Sequence, residues 1–251
     1  MASKSLNPVC LLLAAAVVSA PAVLAAETLP PETLRPETLH YEAEWRLMDA
    51  GRVRLHWAPN QASMKLETVG LVRKLYLVDN DYGVQFRNGF CADSSLMTSE
   101  EGKKRRRTTV DYRAGGKAIY QVRDRNANDE VIETREVTVP DCVHDVVTGL
   151  AKLRTLGLKP GAALTLPVSD GRKSAPVRIQ AQGKETIRTP AGVFSTVRCE
   201  IFLMNDVIYR RKARLLVWLT EDPRHLPVQI RLQMPFWLGT VTIKLAREEP
   251  G

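Results

Sequence analysis

Cysteine and histidine are scarce in this chain, four of each in 251 residues, and the scarcity bears first on metal chemistry. The cysteines stand at positions 10, 91, 142 and 199, no two of them close in sequence. No histidine lies at ligand spacing, so no zinc site is written into the chain. A Gly-rich phosphate loop, a Gly-x-Ser-x-Gly elbow and a His-Glu-x-x-His helix are missing too. We therefore expect no cofactor, no metal and no catalytic residue. Nor is there an apolar run long enough to cross a bilayer, which takes about 20 residues.

What is present at the start is an export signal. Lys4 supplies a positive n-region, Val9–Val18 an uncharged apolar run, and Ala22-Val23-Leu24-Ala25-Ala26 the small residues of a processing site. The expectation is a signal peptide over residues 1–25, cleaved after Ala25 or Ala26, and a periplasmic protein with no transmembrane segment in its mature chain. Cys10 lies at the very start of the apolar run and follows Asn7-Pro8-Val9, an unsuitable context for lipidation. Residues 26–38 repeat Glu-Thr-Leu every five positions with Pro30, Pro31 and Pro36 between the copies, which reads as an extended linker. A β-rich domain over 39–247 and a tail over 248–251 follow.

The formal charge of +8 falls to +7 once Lys4 is removed. In an exported protein such a basic balance points to anionic phospholipid, lipopolysaccharide or acidic glycan, not to nucleic acid. The sharpest run, Lys103-Lys104-Arg105-Arg106-Arg107, has no interleaved aromatic side chains to stack on bases. It reads as a solvated edge or hairpin.

Alternation of apolar and polar residues dominates the rest. Tyr41, Ala43, Trp45 and Leu47 alternate with charged residues, Ala50-Gly51 interrupts, and Val53, Leu55 and Trp57 resume, which predicts a hairpin with one buried face. Period-two runs recur at 64–66, 82–86, 110–112 and 118–122, then at 164–168, 177–181, 197–203, 215–219, 228–232 and 241–245. Between the two sets the spacing changes. Val143, Val146, Val147, Leu150 and Leu153 predict one helix over about 142–156, capped by Asp141 and ended by Leu156-Gly157 and Pro160. Leu71–Val78 reads as a second helix or a bent strand. The fold class expected is mainly β, an antiparallel curved sheet forming a barrel, half-barrel or sandwich, its two halves separated by the 141–157 helix.

Asp145-Val146-Val147-Thr148-Gly149-Leu150-Ala151-Lys152-Leu153-Arg154 resembles the helix signature of domain-of-unknown-function family 3108, found in bacterial envelope proteins. Thr189-Pro190-Ala191-Gly192-Val193-Phe194, Val217-Trp218-Leu219 and Gly239–Leu245 look like its hairpin and last strands. The resemblance implies an envelope protein and no catalytic residues, since the family carries no established activity. A looser similarity of architecture is to periplasmic lipoprotein carriers and lipid-binding proteins.

Three cysteines remain after signal removal, which makes one pair and one spare. Cys199 lies on the apolar face of a strand, as a buried thiol does. We therefore expect a Cys91–Cys142 disulfide. His144 and Asp145 are neighbours that an acid/base pair would require, although adjacent helix residues point about 100° apart and an early Asp also suits the helix dipole. Arg154 and Asp145, nine residues apart, should face opposite sides of the helix. Phe236, Trp237 and Leu238, between Pro235 and Gly239, form either a hairpin that closes the core, the favoured reading, or a mouth that meets acyl chains or membrane. The expected function is a non-enzymatic binding or carrier module for a lipid or other amphipathic envelope component. An envelope enzyme acting on glycans through carboxylates in the concave face, and a structural interaction protein, are the alternatives.

Overall fold

The computed structural model describes residues 34–235 and 237–251. The expected signal peptide, the linker up to residue 33 and Phe236 lie outside the described residues.

The first meander comprises β1 (Glu37–Trp45), β2 (Met48–Ala58), β3 (Gln61–Thr68), a short helix α1 (Gly70–Leu75), β4 (Val78–Arg87), β5 (Cys91–Glu101), β6 (Lys104–Arg113), β7 (Lys117–Asp124) and β8 (Glu130–Thr138). Helix α2 (Val146–Thr155) follows. The second meander is β9 (Ala163–Ser169), β10 (Ser174–Thr189), β11 (Gly192–Ile201), β12 (Arg214–Thr220), β13 (Pro227–Gln233) and β14 (Thr240–Pro250). Pairing is antiparallel throughout, and the meanders join where β1 pairs with β14, giving one fourteen-stranded sheet with β8 and β9 at its edges. Helix α2 carries the chain from one edge to the other. The fold is therefore mainly β, a single curved antiparallel sheet that does not close on itself.

Alternation decides which side of each strand is buried. Leu39, Tyr41 and Ala43 of β1 and Val53, Leu55 and Trp57 of β2 face inward, while Glu42 and Arg54 face water. The β1–β2 turn is at Arg46-Leu47, both with positive φ, 51° and 64°, as a two-residue hairpin of the primed type demands. This corrects the expected break at Ala50-Gly51, which lies inside β2. Gly51 is needed there because a Cβ would sit 2.6 Å from the Glu67 carbonyl oxygen.

Three further boundaries shift. Residues 37–38, placed in the linker, and 248–250, placed in the tail, are paired strand, since Glu37 to Leu39 pair with Pro250 to Glu248. The helix starts at Val146, not near Cys142, because the preceding residues are held extended by partners far away in the chain. Ala92 N–H donates to Val143 O at 2.8 Å, His144 N–H to Pro167 O at 2.9 Å and Ser169 N–H to His144 O at 2.8 Å. The cap is accordingly Asp145 and not Asp141.

Two apolar clusters form the core. One gathers Leu39, Tyr41, Trp57, Val84, Val110 and Tyr120 around Val147 and Ala151 of α2. The other packs Leu153 with β9–β12 and with Leu203, Met204 and Ile208 of the β11–β12 connection. The edges approach through side chains instead of backbone bonds. Arg172, in the β9–β10 turn, pairs with Glu133 of β8 at 2.7 Å and lies 5.0 Å from the Tyr120 ring centroid. Gly171 permits the approach, because a Cβ there would meet Val110 Cγ2 at 2.5 Å.

Candidate functional site

Curling of the first meander leaves a cavity of about 420 Å³ between the sheet and the start of α2. Its sheet wall is built from inward positions of consecutive strands: Tyr41, Val53, Leu55, Met64, Leu66, Tyr82, Met97, Thr108 and Val110. Val146, Val147 and Leu150 of α2 form the facing wall, with Ile230 and Ile243 beside them, and Ser169, Asp170, Arg172 and Tyr209 close one side. Two grooves of about 530 Å³ are larger but more open, and Gln, Asn, Ser and Asp side chains supply much of their lining. We place the site in this apolar cavity, because it is less open than the two grooves and its walls are apolar, as a ligand pocket needs.

Polar groups in this cavity are few and specific. Asp145 caps α2: the Thr148 N–H donates to its Oδ1 at 2.6 Å, and its own N–H donates to Thr148 Oγ1 at 2.9 Å. The Tyr82 hydroxyl donates to the other carboxylate oxygen. Burial pushes the Asp145 carboxyl above its ordinary value of 3.8, against the lowering effect of these hydrogen bonds. Burial and the neighbouring Asp145 raise Tyr82 and Tyr112, and burial pushes Tyr209 up to about 12. These phenols stay protonated at neutral pH. Tyr41 is 2 % exposed, and its hydroxyl has no hydrogen-bond partner among the described residues.

The raised carboxyl has a consequence for stability. A native state that holds the Asp145 proton more tightly than the unfolded chain gains from that proton below about pH 4 and loses the gain as pH rises through the raised value. Asn also caps helices well. Asp145→Asn should therefore gain stability relative to wild type as pH goes from 4 to 8, read as a growing difference in urea unfolding free energy. A flat difference would contradict the burial argument.

The remaining candidates occupy separate places. His144 is buried beside Asp145, yet it precedes the helix and its Nδ1 donates to Phe90 O at 2.8 Å, so the two side chains serve different partners. Arg154 lies on the far side of α2 from Asp145, ion-paired with Glu37 at 2.6 Å. Cys91 and Cys142 form the expected disulfide with Cα atoms 4.8 Å apart. Cys199 is a buried free thiol, pushed up to about 11 by burial. Trp237 is 70 % exposed at the β13–β14 turn, which corrects the core-closing reading for this residue, and Leu238 is half-buried. Sequence reasoning did not single out Tyr41, Tyr82, Tyr112 and Tyr209 as site residues. For the first three the available signal was a tyrosine at an inward position of an alternating strand.

Among solved structures, the β-barrel-like protein of family DUF1849 from Brucella abortus is similar to this chain in fold, with a TM-score of 0.55 at 10% identity, covering 87% of this chain and 98% of its own. A DUF1089 family protein from Pseudomonas aeruginosa gives a TM-score of 0.34 at 12% identity over 73% of this chain and 90% of its own. A protein with a YmcC-like fold from Bacteroides fragilis gives 0.31 at 10% identity over 86% and 96%. Neither of these two scores is high enough to carry an argument. No curated protein matches the chain. The family model described as a protein of unknown function, DUF3108, matches residues 40–246, and the chain belongs to that family.

Proposed function

We propose that this protein is a non-enzymatic periplasmic binding or carrier module whose cavity takes a lipid or another amphipathic component of the envelope. The observation that supports it best is the partly open cavity of about 420 Å³ with its largely aliphatic and aromatic walls. The volume falls in the range of about 300–1,000 Å³ usual for ligand sites. At roughly 30 Å³ per group, the share of one water in the liquid, it has room for about fourteen methylene-sized groups. Each methylene buried contributes about 0.8 kcal/mol. The Tyr82–Asp145 pair offers a ligand a polar anchor at the wall.

A glycan hydrolase has less support, because the Asp145 carboxylate is already engaged by its cap and by Tyr82. Addition of a partner strand to an edge has less support as well. Edge strand β8 carries Glu130, Glu133, Arg135 and Glu136, and charge on an edge discourages pairing.

Native mass spectrometry of protein purified without detergent, with and without added lysophospholipid, tests the reading. A one-to-one adduct is expected, and it should weaken in Leu66→Trp and Met97→Trp, which fill the cavity, provided that thermal melts show both folded. Tyr41→Phe should gain about 1 kcal/mol of stability without ligand, since a buried unpaired hydroxyl costs that order. No adduct with envelope lipids or with added lysophospholipid would remove the proposal.

A further inference from the structure

Five loops crowd together at one end of the first meander. The β1–β2 turn lies against the β13–β14 turn, because Trp45 Nε1 donates to Leu238 O at 2.8 Å and Arg46 donates to Trp237 O. On its other side α1 is tied to β2 by Val69 N–H donating to Ala50 O at 3.1 Å, and to the β5–β6 turn by Gly102 N–H donating to Leu77 O at 2.8 Å. Asn126, in the β7–β8 turn, reaches Lys103 O at 2.9 Å. The tips of these loops are apolar where water should have selected polar residues: Leu47 is 94 % exposed, Trp237 70 %, Leu75 69 %, Leu71 57 % and Tyr76 55 %. No residue of α1 is buried, so its leucines are not holding it to the sheet.

The charges on the tips themselves are cations. Arg46, Lys74, Lys103 and Lys104 are exposed and have no acidic partner among the described residues. Of the acids nearby, Asp49 is paired with Arg52, Asp79 with Lys65 and Arg73, and Glu100 with Arg105 and Arg125, while Glu67, Glu101 and Asp124 belong to the strand ends behind the tips. Exposed Trp, Tyr and Leu ringed by Lys and Arg is the composition of a surface that sits in a membrane interface, the rings and aliphatic chains among the headgroups and the cations on anionic phosphates. We infer that this end of the sheet docks on an anionic phospholipid surface. Charge complementarity selects that occupant over a neutral membrane or a second copy of the same basic end. The inference goes beyond the cavity reading, and docking is measured with nothing bound inside.

The test is co-sedimentation of the full chain with vesicles of phosphatidylglycerol and phosphatidylethanolamine, compared with phosphatidylcholine alone. Brominated acyl chains serve as quenchers of Trp237, with Trp237→Phe as the reference. Binding is expected to prefer the anionic vesicles by at least about tenfold, at about one lysine's worth of attraction per charge, and to weaken with salt. It should fall by a similar factor in Leu47→Ser/Trp237→Ser and in Lys74→Glu/Lys103→Glu/Lys104→Glu. Melting temperatures should be unchanged, because these side chains are exposed. Equal binding to phosphatidylcholine, unaltered binding by both variants, or absence of Trp237 quenching would overturn the inference. So would a wild-type dimer in sedimentation that the Leu47/Trp237 variant dissolves, which would assign this end to a second copy.

Discussion

Arg154→Ala should destabilise the fold by about 3–5 kcal/mol, the usual cost of leaving one charge of a buried pair alone. Arg154 Nη2 lies 2.6 Å from Glu37 Oε1, with the two side chains 2 % and 7 % exposed. The guanidinium also packs 5.9 Å from the Trp57 ring centroid and approaches the Arg224 carbonyl at 3.3 Å. These contacts tie the last turn of α2 to the first residue of β1 and to the β12–β13 turn. The same turn is held again by His225, whose Nδ1 donates to Arg154 O at 2.7 Å. For a chain of this size the loss translates into a melting temperature lower by roughly 6–20 °C. Replacing both partners, Glu37→Met with Arg154→Met, should recover much of it, because an apolar pair leaves no uncompensated charge. A double-mutant cycle by urea denaturation reads the coupling directly. A single variant within 1 kcal/mol of wild type would show that water reaches the pair.

Loss of the Cys91–Cys142 disulfide comes next in size. Its sequence separation is 51 residues, and closing a loop of about that length removes denatured-state entropy worth about 4 kcal/mol in the chain-entropy model. Everything from β5 through β8 lies inside that loop. β8 has mostly exposed or half-exposed side chains on both faces, so little apolar burial holds the edge in place. The bridge also holds residues 142–144 beside β5, where Ala92 N–H donates to Val143 O, which positions Asp145 to cap α2 and face the cavity. Cys91→Ser/Cys142→Ser should lower the unfolding free energy by about 2–5 kcal/mol, and reductant should do the same to wild type while leaving the variant unchanged. Non-reducing peptide mapping should find Cys199 free, as its burial and raised thiol dictate. Cys199 in the linked pair would refute the assignment.

The parts of this fold legible in sequence were those whose signal is local. β1, β2, β4, β6 and β7 declare themselves because one face packs and the other is wet, which writes a period of two into the chain. β8 does not, since an edge strand with both faces largely exposed has no reason to alternate. β5 is obscured by its serines and by the irregular pairing between Gln85 and Phe86 of β4, where it steps out of register. The helix was found from its apolar spacing, yet its start was misplaced by four residues. A free chain would let Val143 and His144 join the helix, but backbone bonds to Ala92, Pro167 and Ser169 hold them extended instead. Asp145 and Arg154 were singled out as a pair on opposite faces of the helix, and the structure gives one to the cavity and the other to a buried ion pair.

By itself the sequence determined the secondary structure class, the inward face of most strands, the single pair of cysteines and the basic balance. Each of these follows from neighbouring residues or from composition. Only the tertiary structure decided that the sheet stays open, that β1 and β14 join two meanders into one, and that tyrosines on separate strands converge on one apolar cavity. It also decided that Leu47, Trp237 and the leucines of α1 share one end of the molecule. Those outcomes depend on curvature and strand order, which are set by contacts between residues up to about two hundred positions apart, as between Glu37 and Pro250. A period of two specifies which way a side chain points from its strand, but not which distant strand stands opposite.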